Sequence, residues 1–215
     1  KTVEALYEVL SLALTDKGMP ENCVQILRSG KRQEVKKLVS MTDCVDVVIP
    51  RGGRSLVEFI KSEAKIPVFA HLEGIVHIYV HNKADLDITK SVVLNSKSRR
   101  PGICGAVETL LIDKGFHDKY GEELINFLIT QGIEIRANKK QFKNKFIVDI
   151  SSRDYGFEFL ENILAVKVVK DIDSAISHIR NFGSNHTDCI LTNDKSAREL
   201  FFKRLDSSIL LCNAS

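Results

Sequence analysis

The residue types best able to do chemistry are concentrated in residues 95–105, which read NSKSRRPGICG. Cys104 is the one thiol of this stretch, and three cations lie within seven residues of it: Lys97, Arg99 and Arg100. Positive charge that faces a thiol lowers its pKa and raises the thiolate fraction. Asn95 carries an amide that could donate to a developing oxyanion, together with the backbone N–H at the cysteine. The pattern makes Cys104 a candidate catalytic thiolate, and the alternative, a buried structural cysteine, stays open on these residues alone.

The other cysteines show no arrangement typical of a metal or disulfide framework. The five cysteines are scattered, with no Cys-x-x-Cys pair: Cys23, Cys44, Cys104, Cys189 and Cys212. An odd number at irregular spacing indicates reduced thiols in a cytosol-like compartment, so we expect a cytoplasmic protein. No His, Cys and Asp cluster has metal-ligand spacing, and we therefore expect no metal.

A second candidate site is the glycine pair in IPRGGRS, residues 49–55. Gly52 and Gly53 would let the backbone approach a ligand, and the helix that follows would offer free N–H groups to a phosphate. The stretch is not the G-x-G-x-x-G fingerprint, so an ordinary tight turn between strand and helix remains open.

Helical and strand patterns alternate along the whole chain, which predicts an α/β fold with a doubly wound parallel sheet. The predicted helices span residues 3–14, 31–39, 55–62, 84–97, 118–131, 172–181 and 196–205. The predicted strands span residues 24–27, 45–49, 66–69, 74–80, 108–112, 133–135, 164–169, 188–192 and 208–212. The chain starts within a helix without Met and ends on an apolar strand, so we expect a segment of a longer protein.

Composition excludes several classes of protein. The 215 residues are 44% hydrophobic and 27% charged, as in an ordinary soluble domain. No apolar run approaches the roughly 18 residues that span a bilayer, so no membrane association is expected. The net charge of +3 is too small and too mixed in sign to suggest a nucleic-acid binder, and the Lys- and Asn-rich residues 136–145 are predicted to be a solvated loop.

Six stretches, taken in order, resemble one enzyme family. They are DVVIPRGG (46–53), IPVFAHLEGIVHIYV (66–80), ADLD (84–87), NSKSRRPGICGAVETLL (95–111), ILAVKVV (163–169) and CNAS (212–215). Together they resemble the gamma-glutamyl phosphate reductases, also called glutamate-5-semialdehyde dehydrogenases, of the aldehyde dehydrogenase superfamily. The resemblance covers nearly the whole chain.

The resemblance implies an aldehyde dehydrogenase-like fold in two parts, both truncated. Residues 1–69 would be the second half of a Rossmann-like NADP-binding domain, and residues 70–215 an α/β catalytic domain that bears the cysteine. The first half of the cofactor domain would be absent, as would the C-terminal tail that helps the family to form a homodimer.

The resemblance also implies a reaction, in proline biosynthesis. Cys104 would attack gamma-glutamyl phosphate and expel phosphate, and NADPH would reduce the resulting thioester to glutamate-5-semialdehyde. Asn95 would stabilise the oxyanion. Gly52 and Gly53 would lie near the cofactor pyrophosphate, and Glu158 near the nicotinamide ribose.

One substitution relative to the superfamily fits phosphate chemistry. Hydrolytic aldehyde dehydrogenases use a glutamate to activate water, and His71 stands at that position here. An enzyme that transfers the acyl group from phosphate has no need of activated water. Three other positions depart from the family: Gly105 where Asn is usual, Val76 where Cys is common and Ser96 in place of Ala.

Two alternatives stay open. An acylating, coenzyme A-linked aldehyde dehydrogenase shares the cysteine chemistry, although the RPGxC and IPRGG stretches speak against it. A truncated, non-catalytic remnant would fold without binding cofactor. Faster labelling of Cys104 than of the other thiols would favour the enzyme over the remnant.

Overall fold

The computed structural model describes residues 2–70 and 73–215 of the chain. His71, which the resemblance places at the glutamate position, lies outside the described residues. The chain divides into two compact units, residues 1–72 and 73–215. The division lies near the predicted boundary, while the assignment of the units to a cofactor domain and a catalytic domain remains a prediction.

The first unit is mainly helical. Its α-helices are α1 (Thr2–Asp16), α2 (Arg32–Leu38) and α3 (Arg54–Glu63). A small apolar cluster centres on the buried side chains of Val39, Ile60 and Ile66. Helices α2 and α3 confirm the predictions for residues 31–39 and 55–62.

The three strands predicted in the first unit are wrong. Residues 45–49 and 66–69 pair through a single parallel bridge, between Val48 and Val68. The Val48 N–H donates to the Pro67 carbonyl at 2.9 Å, but Pro67 has no N–H with which to extend the ladder. Residues 24–27 pair with no described strand. An apolar run becomes a strand only where a partner satisfies its backbone groups.

The second unit is built on a seven-stranded, all-parallel sheet. Its strands are β1 (Val76–Val80), β2 (Val107–Asp113), β3 (Glu134–Ala137), β4 (Val148–Asp149), β5 (Ile163–Val169), β6 (Thr187–Leu191) and β7 (Ile209–Cys212). Their order across the sheet is β4-β3-β5-β2-β1-β6-β7. Every residue of β1, β2 and β6 is buried, because helices cover both faces of the sheet.

Helices pack on both faces of this sheet, as the alternating pattern predicts. The α-helices are α4 (Leu86–Ser98), α5 (Lys114–Phe116), α6 (Glu122–Thr130), α7 (Ile172–Phe182) and α8 (Lys195–Arg204). Helices α4 and α6 bury apolar residues against one face, and α7 and α8 against the other. Aspartate side chains cap α4, α7 and α8 by accepting a backbone N–H three residues on: Asp85, Asp171 and Asp194. None of the helices within the described ranges is long and apolar enough to cross a bilayer.

One predicted helix differs in its first turns. Residues 118–131 were expected to form a single helix, but the helical path begins with α5 and continues through a π-helical turn, His117–Gly121, before α6. The Asp113 side chain caps α5 by accepting the N–H of Gly115. The short strand β4 was not predicted, because two residues cannot show an alternating pattern.

A polar cluster with two buried histidines, His77 and His178, lies between the sheet and α7. Lys167 on β5 lies 3.1 Å from Nδ1 of His178 on α7, and the His178 ring packs edge-on against Tyr155 and against His77 of β1. Burial, reinforced by His77 and Lys167, lowers the pKa of His178 to about 3. His178 is therefore neutral at pH 7 and accepts a hydrogen bond from the Lys167 ammonium.

We expect this histidine to make the second unit sensitive to acid. His178 remains neutral in the folded state while the unfolded chain protonates it below about pH 6.5, so stability falls as the pH drops from there toward 3. The loss is at most about 1.4 kcal/mol per pH unit. His178→Gln keeps a hydrogen-bond acceptor but does not titrate. In urea titrations from about pH 4.5 to 6.5, its free energy of unfolding should therefore depend less steeply on pH than that of the parent chain. Above about pH 8, His178 of the parent chain is neutral in both the folded and the unfolded state, so the difference in stability between parent and variant measured there is the reference. An equal pH dependence of the two free energies of unfolding between about pH 4.5 and 6.5 would contradict this assignment.

Candidate active site

The predicted nucleophile lies where two neighbouring strands begin. Cys104 is in the segment that joins α4 to β2, and Gly74 is in the segment that leads into β1. Strands β1 and β2 are parallel and adjacent, with Val76 opposite Val107, so the residues that precede them meet at one edge of the sheet. The fold thereby brings Gly74 against Cys104.

The contact between these two backbones is close enough to require glycine. A Cβ on Gly74 would lie 2.6 Å from both the Cα and the carbonyl carbon of Cys104, and it would also meet the Cys104 carbonyl oxygen. Real Cβ atoms do not approach backbone atoms so closely, so any larger residue would displace the Cys104 backbone. The sequence pattern did not single out Gly74, because its importance depends on a residue thirty positions away.

Cys104 is solvent-exposed, forms no disulfide and borders a cavity of about 340 Å³. The cavity walls come from β1, β6, β7 and the cysteine segment, and include Ile78, Arg99, His186, Cys189, Leu211 and Ser215. An accessible thiol beside a mixed polar and apolar cavity can attack a small bound electrophile. The placement agrees with the nucleophile prediction, while the catalytic role itself stays a prediction.

The three cations near Cys104 divide into two kinds. Arg99 lines the cavity and Arg100 is exposed. Lys97 instead points inward: its Nζ lies 2.7 Å from Oε2 of Glu108, and both side chains are fully buried. The expectation that Lys97 adds its charge to the thiol environment is therefore wrong, because a buried carboxylate compensates that charge.

Burial acts on both partners of this ion pair. Removal from water lowers the pKa of Lys97 and raises the pKa of Glu108, and the mutual attraction and hydrogen bond oppose both shifts. At 2.7 Å we assign the pair as ammonium and carboxylate. Glu108 was also missed in the sequence, although a carboxylate within an apolar strand run is the signal that could have found it.

The predicted oxyanion donor reaches the cavity wall indirectly. Asn95 on α4 is exposed, and its Nδ2 donates to the Ser215 hydroxyl at 2.7 Å. Ser215 itself lines the cavity beside Cys104. The fold thus brings Asn95 to the edge of the same cavity, with its amide engaged by a neighbouring hydroxyl.

Glu158, the predicted ribose ligand, is held at the same site. Its Oε1 accepts the backbone N–H of Gly74 at 2.9 Å, and Gly74 packs on Cys104. Gly74 therefore links the half-buried Glu158 to Cys104, since it contacts both residues. Its second oxygen, Oε2, accepts no hydrogen bond from the described residues, so it could accept one from a ligand hydroxyl.

The glycine pair belongs to the first unit and forms the start of α3. Gly53 is the N-cap residue, both glycines are exposed, and no acidic residue lies in the first turn of the helix. The first N–H groups of a helix have no partners within the helix and attract anions. This geometry is compatible with a diphosphate, and the cofactor role of Gly52 and Gly53 stays a prediction.

Within the described ranges, no group of three His, Cys, Asp or Glu side chains is arranged to hold a metal ion.

Of the remaining thiols, Cys23 and Cys44 are exposed in the first unit and Cys189 is buried beside the cavity. Burial raises the pKa of Cys189 to about 12, so this thiol is protonated and unreactive at neutral pH.

Comparisons with known proteins show what the chain is similar to. The model of the aldehyde dehydrogenase family matches residues 2–139. The gamma-glutamyl phosphate reductase of Bradyrhizobium sp. (strain ORS 278) is 42% identical over 217 residues, which cover 100% of this chain and 50% of that protein. That of Rhodopseudomonas palustris (strain BisB5) is 43% identical over 213 residues, covering 98% of this chain and 50% of that protein. The chain thus spans about half the length of the curated relatives it matches.

A solved structure extends the similarity to three dimensions. The crystal structure of gamma-glutamyl phosphate reductase from Thermotoga maritima superposes with a TM-score of 0.90 at 31% identity, over 99% of this chain and 51% of that one. This likeness confirms the predicted aldehyde dehydrogenase-like α/β fold, in a chain about half as long as its solved relative.

The close contact at Gly74 gives a sharp test of the site geometry. In Gly74→Ala, we expect a loss of about 1–3 kcal/mol in the free energy of unfolding, because the new methyl group overlaps the Cys104 backbone. Acylation of Cys104 by p-nitrophenyl acetate should fall at least about tenfold, since the thiol is displaced.

Gly105→Ala is the matched control. A Cβ there meets no heavy atom within 4 Å, so its stability should stay within about 0.5 kcal/mol of the parent. Equal effects of the two alanines on urea unfolding would contradict the close contact.

Proposed function

The chain belongs to the aldehyde dehydrogenase family, and from this premise we propose that it carries the catalytic part of a gamma-glutamyl phosphate reductase. The reaction is the NADPH-dependent reduction of gamma-glutamyl phosphate to glutamate-5-semialdehyde and phosphate, in proline biosynthesis. The observation that carries the proposal is Cys104: an exposed, disulfide-free thiol at the edge of a 340 Å³ cavity, within a chain 42% identical to curated reductases.

The first step uses Cys104 as nucleophile. Its thiolate attacks the acyl carbon of the substrate, and a C–S bond forms while the carbonyl oxygen takes the negative charge. Collapse of this tetrahedral species breaks the bond to the phosphate oxygen, which leaves with the electron pair as inorganic phosphate. A thiolate suits the step because it is strongly nucleophilic and yields a thioester, which remains open to reduction.

Groups around the cavity suit the charges that develop in this step. The oxyanion would be stabilised by the backbone N–H at the cysteine and by the Asn95 amide, whose partner Ser215 lines the cavity. The guanidinium of Arg99, which also lines the cavity, would neutralise the departing phosphate.

The residues proposed to hold the cofactor have suitable chemistry. Gly52 and Gly53 at the start of α3 would receive the diphosphate on backbone N–H groups. Glu158 would accept a hydrogen bond from a ribose hydroxyl through Oε2, which accepts none from the described residues. NADPH, when bound, supplies the hydride that reduces the thioester to the aldehyde. Cys104 then leaves as the thiolate, which is ready for another acyl group.

The reverse reaction tests the proposal. With glutamate-5-semialdehyde, NADP and phosphate, we expect NADPH to accumulate beyond one equivalent per chain only when phosphate is present, because phosphate must release the acyl group from Cys104 before the next turnover. Cys104→Ser should lower this rate by at least about a thousandfold, as expected for loss of a nucleophile.

Cys44→Ser is the control for loss of a thiol as such. Cys44 is also exposed and free, but it lies in the other unit, and its replacement should leave the rate unchanged. Turnover that survives in Cys104→Ser, or that is independent of phosphate, would overturn the proposal.

A further inference from the structure

We propose that the buried ion pair between Lys97 and Glu108 positions the nucleophile. The pair connects the two ends of the segment that carries Cys104, and Glu108 also begins a series of contacts that supports the Cys104 backbone. This inference rests on the proposed function, because it assigns a role to residues around the same thiol. Neither side chain touches the cavity, so both act through other groups.

The pair closes the cysteine segment at its base. Lys97 lies in the last turn of α4 and Glu108 is the second residue of β2, so every residue between them belongs to the segment that presents Cys104. Their 2.7 Å contact, with both side chains at 0% exposure, fixes the separation of the two ends of the segment. A closed loop has fewer conformations than an open one, so the thiol is held in fewer positions.

An irregularity in the sheet sets Glu108 apart from its neighbours. Val76 pairs with Val107, but the next residue of β1, His77, pairs with Thr109. Strand β2 therefore has one residue more than β1 at this point, and that residue is Glu108. Such bulges re-aim a side chain, and here the carboxylate reaches Lys97 at the end of α4.

The second oxygen of Glu108 extends the device to the other side of the cysteine. Oε1 accepts the backbone N–H of Leu160 at 3.3 Å, and Leu160 adopts a left-handed conformation with φ of 58°. This anchor fixes the segment that carries Glu158, whose carboxylate accepts the N–H of Gly74.

Gly74 completes the chain of contacts by packing directly on the Cys104 backbone. The Glu108 carboxylate thus supports the cysteine segment by two routes. One is the direct ion pair with Lys97, and the other runs through Leu160, Glu158 and Gly74. Both routes end at the backbone whose N–H and carbonyl determine how the thiol meets an acyl carbon.

The expected consequence separates two kinds of reaction at the same thiol. Alkylation by iodoacetamide needs only an accessible thiolate, whereas acylation also needs the oxyanion donors in place. Acylation by p-nitrophenyl acetate forms a C–S bond and releases p-nitrophenolate, which is measured by its absorbance. A positioning role predicts a selective fall in acylation, and the ratio of the two rates at Cys104 measures it.

The experiment compares the parent chain with Lys97→Met/Glu108→Leu, since apolar replacement of both members of a buried pair commonly preserves folding. We expect the ratio of acylation to alkylation at Cys104 to fall at least about tenfold. The alkylation of Cys23 and Cys44, both exposed in the other unit, should stay unchanged in the same samples. A ratio within about twofold of the parent in a folded variant would overturn the proposal.

Glu108→Asp keeps the charge and shortens the side chain by one methylene group, so it decides the matter if the double variant fails to fold. It should lower the ratio severalfold, and an unchanged ratio there would equally overturn the positioning role. Absence of Cys104 acylation in the parent chain would instead defeat the proposed function itself, so the two failures are distinguishable.

Discussion

Parallel pairing of β1 with β2 and β6 is the constraint on which the candidate site depends. Parallel strands start at the same edge of a sheet, so the segments before β1, β2 and β6 meet there and carry Gly74, Cys104 and His186. The backbones of the first two segments approach so closely that one of them must lack a side chain. The position of Cys104 is thus set by the pairing of β1 with β2.

Charge is distributed unevenly around this edge, with consequences for reactivity. Lys97 is withdrawn into the interior and neutralised by Glu108, whereas Arg99 remains at the cavity where it can meet an anion. On the opposite face of the sheet, His178 is kept neutral by burial beside Lys167. The buried charge of Lys97 is thus compensated inside the protein, whereas the charge of Arg99 lies where a bound anion could meet it.

The strands of the second unit could be predicted from the sequence with one exception, β4, because buried parallel strands appear as nearly continuous apolar runs such as residues 164–169, which only Lys167 interrupts. The same signal failed for residues 24–27, where no described partner completes a ladder. Cys104 stood out through its own chemistry and its flanking residues. Gly74 and the inward turn of Lys97 could not be predicted, since each depends on a residue distant along the chain or on which way a helix end faces.

The order of strands also governs how the protein acquires its fold. His77 of β1 pairs with Asp188 of β6, 111 residues later, while the other neighbour of β1 is β2, reached after a single helix. Closure of so long a loop is entropically costly and slow, so pairings distant along the chain form late. We therefore expect the cavity walls that come from β6 and β7 to form after β1 has paired with β2. Until then the edge of β1 that faces β6 would have unpaired backbone groups, which favour aggregation.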